Sequence, residues 1–404
     1  MSQQRVAVTG MGAICAIGAN TAEIWESLRL GRPGIGPLSI GTPHRLRFSN
    51  AAEVRNYDPQ NHFTASQIDH IDRFAQFALI AAREAAKDSG IEWTDKLRSR
   101  AAVVTGTGIG GQGTQDVGFL DIYVRGRERV NPLTIPRTML NAGASHISME
   151  FGLTGPAFTL STACSSSNHA FGMALQLIRN GGADIAFAGG SEAPLSVGML
   201  KAWEAMRVIA QDTCRPFSLN RRGMILGEGA GMLVLEPLEA ARARGAHIYA
   251  EFAGAGMSAD AHHITQPVSA GPAGAMRAAL ADAGLSPEQI GYINAHGTGT
   301  PGNDPTETRA IREVFGARAE KIPVSSTKSM HGHALGAAGG IEAVATLLAM
   351  KYGILPPTAN FLERDPECDL DYIPNTARPA QVEAALSNSF AFGGLNAVVA
   401  FRKV

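Results

Sequence analysis

Cysteine and histidine give this 404-residue chain its widest chemical reach, with four of the first and eleven of the second. In STACSSSNHAFGMALQLI, residues 161–178, Cys164 follows the apolar run AFTLSTA and precedes a stretch where Phe171, Ala174, Leu177 and Ile178 recur at helical spacing. The pattern predicts a strand, a tight turn and a helix, with the cysteine at the tip. Unpaired amides of a first helical turn would then face its sulfur. Helix-end stabilisation of about 1–2 kcal/mol would lower an ordinary thiol pKa of about 8.5 by about one unit. That chemistry is a nucleophilic thiolate with no need of an adjacent base. Cys15, Cys214 and Cys368 lie in other contexts and suit the ordinary fate of a free cysteine, a small buried hydrophobe.

Two histidine turns add to the thiol. In GYINAHGTGTPGNDPTE, His296 ends a strand and enters a Gly/Thr loop; in SSTKSMHGHALGAAGG, His333 stands between Gly332 and the small-residue start of a helix. Small neighbours leave both imidazoles accessible. Metal binding is the rival, since His331 and His333 are two apart and His262 and His263 adjacent, but no carboxylate or second cysteine completes a ligand spacing. No metal is expected.

The elements that position these residues alternate. Short apolar runs (RVAVTG, AAVVTGTGIGG, ADIAFAGGSEA) alternate with longer amphipathic ones such as FAQFALIAAREAAKDSG, which is the pattern of α/β architecture. The pattern restarts near residue 250. AFTLSTACSSSNHAFGMALQLI and IPVSSTKSMHGHALGAAGGIEAVATLLAM both run strand, Ser/Thr-rich turn, small residues, long helix. A duplicated fold follows, with halves at 1–247, carrying the cysteine, and 248–404, carrying both histidines. With 35 Lys+Arg against 36 Asp+Glu, no charge excess points to nucleic acid or an anionic membrane. No apolar run is long enough to predict a membrane span, and MSQQRVAVTGMGAICAIG, broken by glycines, lacks the continuous apolar core of a signal peptide. The dispersed cysteines, with no CxxC pair, fit a reducing, cytoplasmic setting.

Taken in order, TACSSS, NAHGTGTPGND, SSTKSMHGHALGAAGG and NSFAFGGLNA resemble the motifs of the β-ketoacyl-acyl-carrier-protein synthases, the condensing enzymes of the thiolase superfamily. The resemblance spans essentially the whole chain. It is similar to the elongating synthase II branch and, through APLSVGMLKAWEAMRVIAQDTCRPFS and PPTANFLERDPECDLD, to nodulation-type and polyene-type ketosynthases. It implies a five-layered αβαβα thiolase-like fold of two similar halves. It also implies that Cys164 carries the acyl group and that His296 and His333 act on a malonyl thioester. The backbone N–H groups of Cys164 and Phe392 would form the oxyanion hole.

By the same resemblance Lys328 stands near the histidines with Glu307 as ionic neighbour, although Asp304, Pro305 and Glu307 also read as N-cap, N1 and N3 of a helix. Thr298 and Thr300 would hydrogen-bond a phosphopantetheine arm, Phe390 and Phe392 would gate the acyl pocket, and Ile109 would stand at its wall. Acyl carrier protein is the implied partner, bringing both thioesters. A dimer is implied, with itself or with a related ketosynthase-like subunit, and no metal or organic cofactor.

The chain departs from the family pattern in three places. Ala391 replaces the first glycine of GFGG, which would restrict the gate, and Arg221-Arg222-Gly223-Met224 stands where RDGF is common. At the carrier-protein entrance TASQIDHID replaces a basic stretch, so docking would fall to Arg207, Arg125, Arg127 and Arg129, unless these form a solvated face. A catalytically silent chain-length factor would lack Cys164. A thiolase would need a second cysteine beside the histidines.

Overall fold

The computed structural model describes residues 4–39 and 46–404. Among these, ten strands form one hydrogen-bonded sheet: β1 (Val6–Cys15), β2 (Ala101–Gly106), β3 (Ala157–Leu160), β4 (Ile185–Glu192), β5 (Gly229–Pro237), β6 (Ala250–Ala259), β7 (Ile290–Asn294), β8 (Val324–Ser325), β9 (Ala384–Ala391) and β10 (Leu395–Arg402). Their spatial order is β8-β7-β9-β10-β6-β1-β5-β4-β2-β3. Outward from the centre, both arms repeat one scheme of two antiparallel pairings followed by two parallel ones. The arms meet where β1 pairs with β6 through Ala7↔Glu251 and Val8↔Ala250. The five strands of each arm come from one stretch of chain.

Four long helices complete the layers: α1 (Arg73–Ser89), α2 (Ser166–Arg179), α3 (Ala270–Ala283) and α4 (Ala338–Tyr352). The central layer is α2 and α4. The first packs on β2 and β4 of one arm and on β6 and β10 of the other, and the second on β5 and β9. Helix α1 covers the outer face of β1 and β5, and α3 that of β6 and β10. The five layers expected from the sequence are therefore present. Residues Ala338–Met350 are all buried, which explains why AGGIEAVATLLAM shows no polar stripe.

Glycine sets how closely these layers approach. A Cβ on Gly231 of β5 would lie 2.2 Å from the Gly340 carbonyl carbon in α4, so backbone rests on backbone.

The duplicated junction has a local form. Between β3 and α2, and again before α4, the chain makes a 3-10 turn, Ala163–Ser165 in the first half and Leu335–Ala337 in the second. Each turn opens on a left-handed residue, Ala163 at φ +49° and Leu335 at φ +45°. In the second half a short helix, Lys328–His331, is inserted between β8 and the turn, and the inserted segment carries Lys328 and His333. No helix among the described residues is long and apolar enough to cross a membrane.

Candidate active site

Cys164 occupies the second position of its turn and is buried. Its surroundings differ from the helix-end expectation. The amides of Ser165 and Ser166 are spent on Thr162 O and Ala163 O within the turn, and α2 starts only afterwards. The N–H groups that reach the sulfur are those of Cys164 itself and of Phe392, with the Lys328 charge nearby. Burial outweighs these contributions and pushes the thiol up to about 12, so the lowered pKa read from the sequence is not found.

His296 and His333 line the same cavity as Cys164. Their rings stand nearly perpendicular, 84° apart, with centroids 5.3 Å from each other. Each Nδ1 is engaged. The Lys328 ammonium lies 3.3 Å from Nδ1 of His296, and the Leu335 amide donates to Nδ1 of His333 at 3.2 Å. An acceptor at Nδ1 leaves the ring proton on Nε2, so both rings are Nε2–H donors. Burial, reinforced by the Lys328 charge, holds both well below the usual histidine range and therefore neutral.

Lys328 is fully buried, and its ion-pair partner is Glu342 of α4 rather than the expected Glu307. Burial still pushes the Glu342 carboxyl up to about 7. Glu307 instead holds the histidine loop, accepting from His296 N and Gly297 N at 2.8 Å each and from Asn388 Nδ2 at 3.1 Å. The capping assignment is also corrected. The helix Asn303–Phe315 follows Gly302, so Asp304 is already inside it and accepts from Phe217 N at 2.7 Å and Gly299 N at 3.2 Å.

Thr298 and Thr300 line the cavity with their hydroxyls 2.9 Å apart. Phe390 packs edge-on to His296 at 5.9 Å, and Phe392 stacks on Trp203 at 6.1 Å. Both phenylalanines line the cavity, as does Met224 of the RRGM segment. Ile109 lies outside that lining and joins an apolar cluster with Leu200, Met224 and Leu335. Arg221 is buried against Asp365, whereas Arg222 is exposed. Cys214 sits behind the threonine loop with its thiol 3.4 Å from Thr298 O and does not line the cavity. Arg125 and Arg127 both pair with Asp121, while Arg129 and Arg207 are exposed.

Sequence reasoning missed Glu342, Glu192 and Trp203. For Glu342 a signal existed, a lone acid in the apolar helix AGGIEAVATLL. Glu192 ends the apolar strand β4 in the same manner. Trp203, in the helix Val197–Ala205 whose one buried residue is Leu200, gave none.

Comparison with known proteins gives the family. Residues 3–241 match the family model for the β-ketoacyl synthase N-terminal domain, and residues 249–362 that for the C-terminal domain. Nodulation protein E of Rhizobium sp. (strain N33) is 48% identical over 401 residues, 99% of this chain and 100% of the relative. The 3-oxoacyl-[acyl-carrier-protein] synthase 2 of Staphylococcus aureus (strain N315) is 41% identical over 411 residues, 100% of this chain and 99% of the relative. The solved ishigamide ketosynthase/chain length factor superposes with a TM-score of 0.95 at 38% identity, covering 100% of both chains. The chain belongs to the β-ketoacyl synthase family and is a ketosynthase of thiolase-like fold, an enzyme of condensation in fatty-acid or polyketide-like synthesis.

Proposed function

We propose that Cys164, His296 and His333 divide a decarboxylative Claisen condensation between them. One observation carries this reading: a single cavity holds a thiol under two backbone N–H groups beside two neutral imidazoles whose Nε2–H groups are free to donate. The sulfur of Cys164 attacks an acyl thioester. Its carbon–sulfur bond to the carrier breaks, the thiol proton leaves with the carrier sulfur, and acyl-Cys164 remains. The transient oxyanion is met by the N–H groups of Cys164 and Phe392, each such donor contributing about 3 kcal/mol.

Malonyl thioester then enters. His296 and His333 donate to its carbonyl oxygen, where charge gathers as the bond to the departing CO₂ breaks. Neutral N–H donors suit a developing enolate. The enolate carbon attacks acyl-Cys164 and releases a 3-oxoacyl thioester two carbons longer, and the sulfur regains a proton. Lys328 holds the His296 tautomer, Thr298 and Thr300 offer hydroxyls to a phosphopantetheine arm, and Phe390 and Phe392 gate the acyl side. These steps need no metal or organic cofactor.

The carrier is acyl carrier protein, in line with the name of the Staphylococcus aureus relative. The boundary between the halves is placed at 247/248, between β5 and β6. A partner subunit, either a second copy or a related chain, covers the edge strand β3 and the helix Gln112–Tyr123, which buries no residue and exposes Val117, Phe119 and Tyr123. The compartment is the cytoplasm. The product is a specialised, unsaturated acyl chain, a reading supported by the higher identity to nodulation protein E than to synthase 2. Intact-mass analysis after incubation with hexadecanoyl- and hexadecatrienoyl-carrier protein tests both levels. Acyl mass on wild type and none on Cys164→Ala is expected, with the unsaturated chain favoured. Acylation of Cys164→Ala refutes the nucleophile, and equal loading of both chains refutes the specialised substrate.

A further inference from the structure

Glu192 ends β4 with its carboxyl fully buried, and all its hydrogen-bond donors are neutral. Oε1 accepts from Thr107 Oγ1 at 2.7 Å and from Ile109 N at 3.2 Å; Oε2 accepts from Gly108 N at 2.6 Å and from Gly336 N at 2.9 Å. The carboxyl thus ties a turn of the first half to a turn of the second. The duplication shows what it replaces. Gly336 follows the left-handed Leu335 as Cys164 follows the left-handed Ala163, so the Gly336 amide is the counterpart of the Cys164 amide that reaches the nucleophilic sulfur. In the second half that amide is met by the chain's own carboxylate. Only glycine leaves room, because a Cβ on Gly336 would lie 2.7 Å from Glu192 Oε2 and 2.4 Å from Gly108 N.

The adjacent amide is the one on the histidine. Leu335 N donates to His333 Nδ1, and the next N–H along the chain donates to Glu192. We propose that Glu192 is a positioning residue for His333. By accepting from Gly336 it holds the turn at the angle that keeps the Leu335 amide on His333 Nδ1, and so keeps the Nε2–H directed into the cavity. An acceptor is what the turn needs, and a net charge is not.

This inference rests on His333 acting in decarboxylation. The test therefore measures two half-reactions on each protein: CO₂ release from malonyl-carrier protein, and acyl mass gained on Cys164 from hexadecanoyl-carrier protein. Glu192→Ala should lose CO₂ release about tenfold or more while acylation stays within about threefold, because misplacing a donor by a fraction of an ångström acts on the step that uses it. Glu192→Gln, whose single carbonyl can serve both Gly108 and Gly336, should restore CO₂ release to within about threefold of wild type. If both half-reactions fall together in Glu192→Ala, the residue merely supports the fold and the proposal is overturned. Should that variant not fold, Glu192→Gln carries the test alone, and a loss beyond about tenfold in its CO₂ release overturns the proposal. His333→Ala is the control. Wild-type CO₂ release there would remove the underlying assignment, whereas its loss there combined with normal release in Glu192→Ala would defeat only the role of Glu192.

Discussion

At the scale of single residues, the site keeps its thiol and both imidazoles uncharged. Burial drives the Cys164 thiol up and both histidines down, so at neutral pH the cavity holds a thiol and two N–H donors rather than a thiolate–imidazolium pair. The pH dependence follows from these directions. A histidine whose folded pKa is depressed stays neutral until the pH falls well below 6.5. CO₂ release from malonyl-carrier protein should therefore be level from about pH 8 to about pH 6. A stopped-time assay across that range checks this, and a half-maximal drop near pH 6.5 would contradict it. Alkylation of Cys164 by iodoacetamide has the opposite course. With the thiol near 12, its rate should keep climbing roughly tenfold per pH unit from about pH 7 to about pH 10, without the plateau near pH 8 of a lowered thiol.

At the scale of elements, the glycines at helix–strand crossings set the spacing on which the site depends. Gly231→Ala places a methyl 2.2 Å from the Gly340 backbone, and α4 leads directly from the Leu335–Ala337 turn beside His333. The substitution should destabilise the protein by about 3 kcal/mol or more, read as a large fall in thermal midpoint or loss of soluble protein. An unchanged midpoint would show that α4 can shift. The same elements show what the sequence could tell. Alternating apolar runs and the echo of two strand–turn–helix junctions gave the duplicated α/β fold, because those patterns are local. The pairing of Lys328 with Glu342 was not legible, since a whole turn separates them and another acid, Glu307, matched the family expectation although it is farther away in sequence. The thiol pKa was misread for a similar reason. Helix-end chemistry can be read from neighbours in sequence, whereas the burial of the Ala163–Ser165 turn comes from β9, β10 and the Leu335–Ala337 turn, far along the chain.

At the scale of the molecule, four buried cysteines, Cys15, Cys164, Cys214 and Cys368, are each pushed up to about 12 by desolvation. In the unfolded chain the same thiols titrate near about 8.5. Between these values the folded state binds more protons, so stability falls as pH rises above about 8.5, by up to about 1.4 kcal/mol per unit for each thiol. Thermal midpoints at pH 8, 9 and 10 under reducing conditions should decline steadily, and a flat series would contradict the burial argument. The two arms also divide the chemistry, with the nucleophile delivered by the first half and both N–H donors by the second, across one cavity. The most direct test compares CO₂ release from malonyl-carrier protein with acyl mass on Cys164 in His296→Ala and His333→Ala. The account predicts that CO₂ release falls by about 10²-fold or more in each while acyl-Cys164 still forms. CO₂ release at wild-type rates in both variants would contradict it.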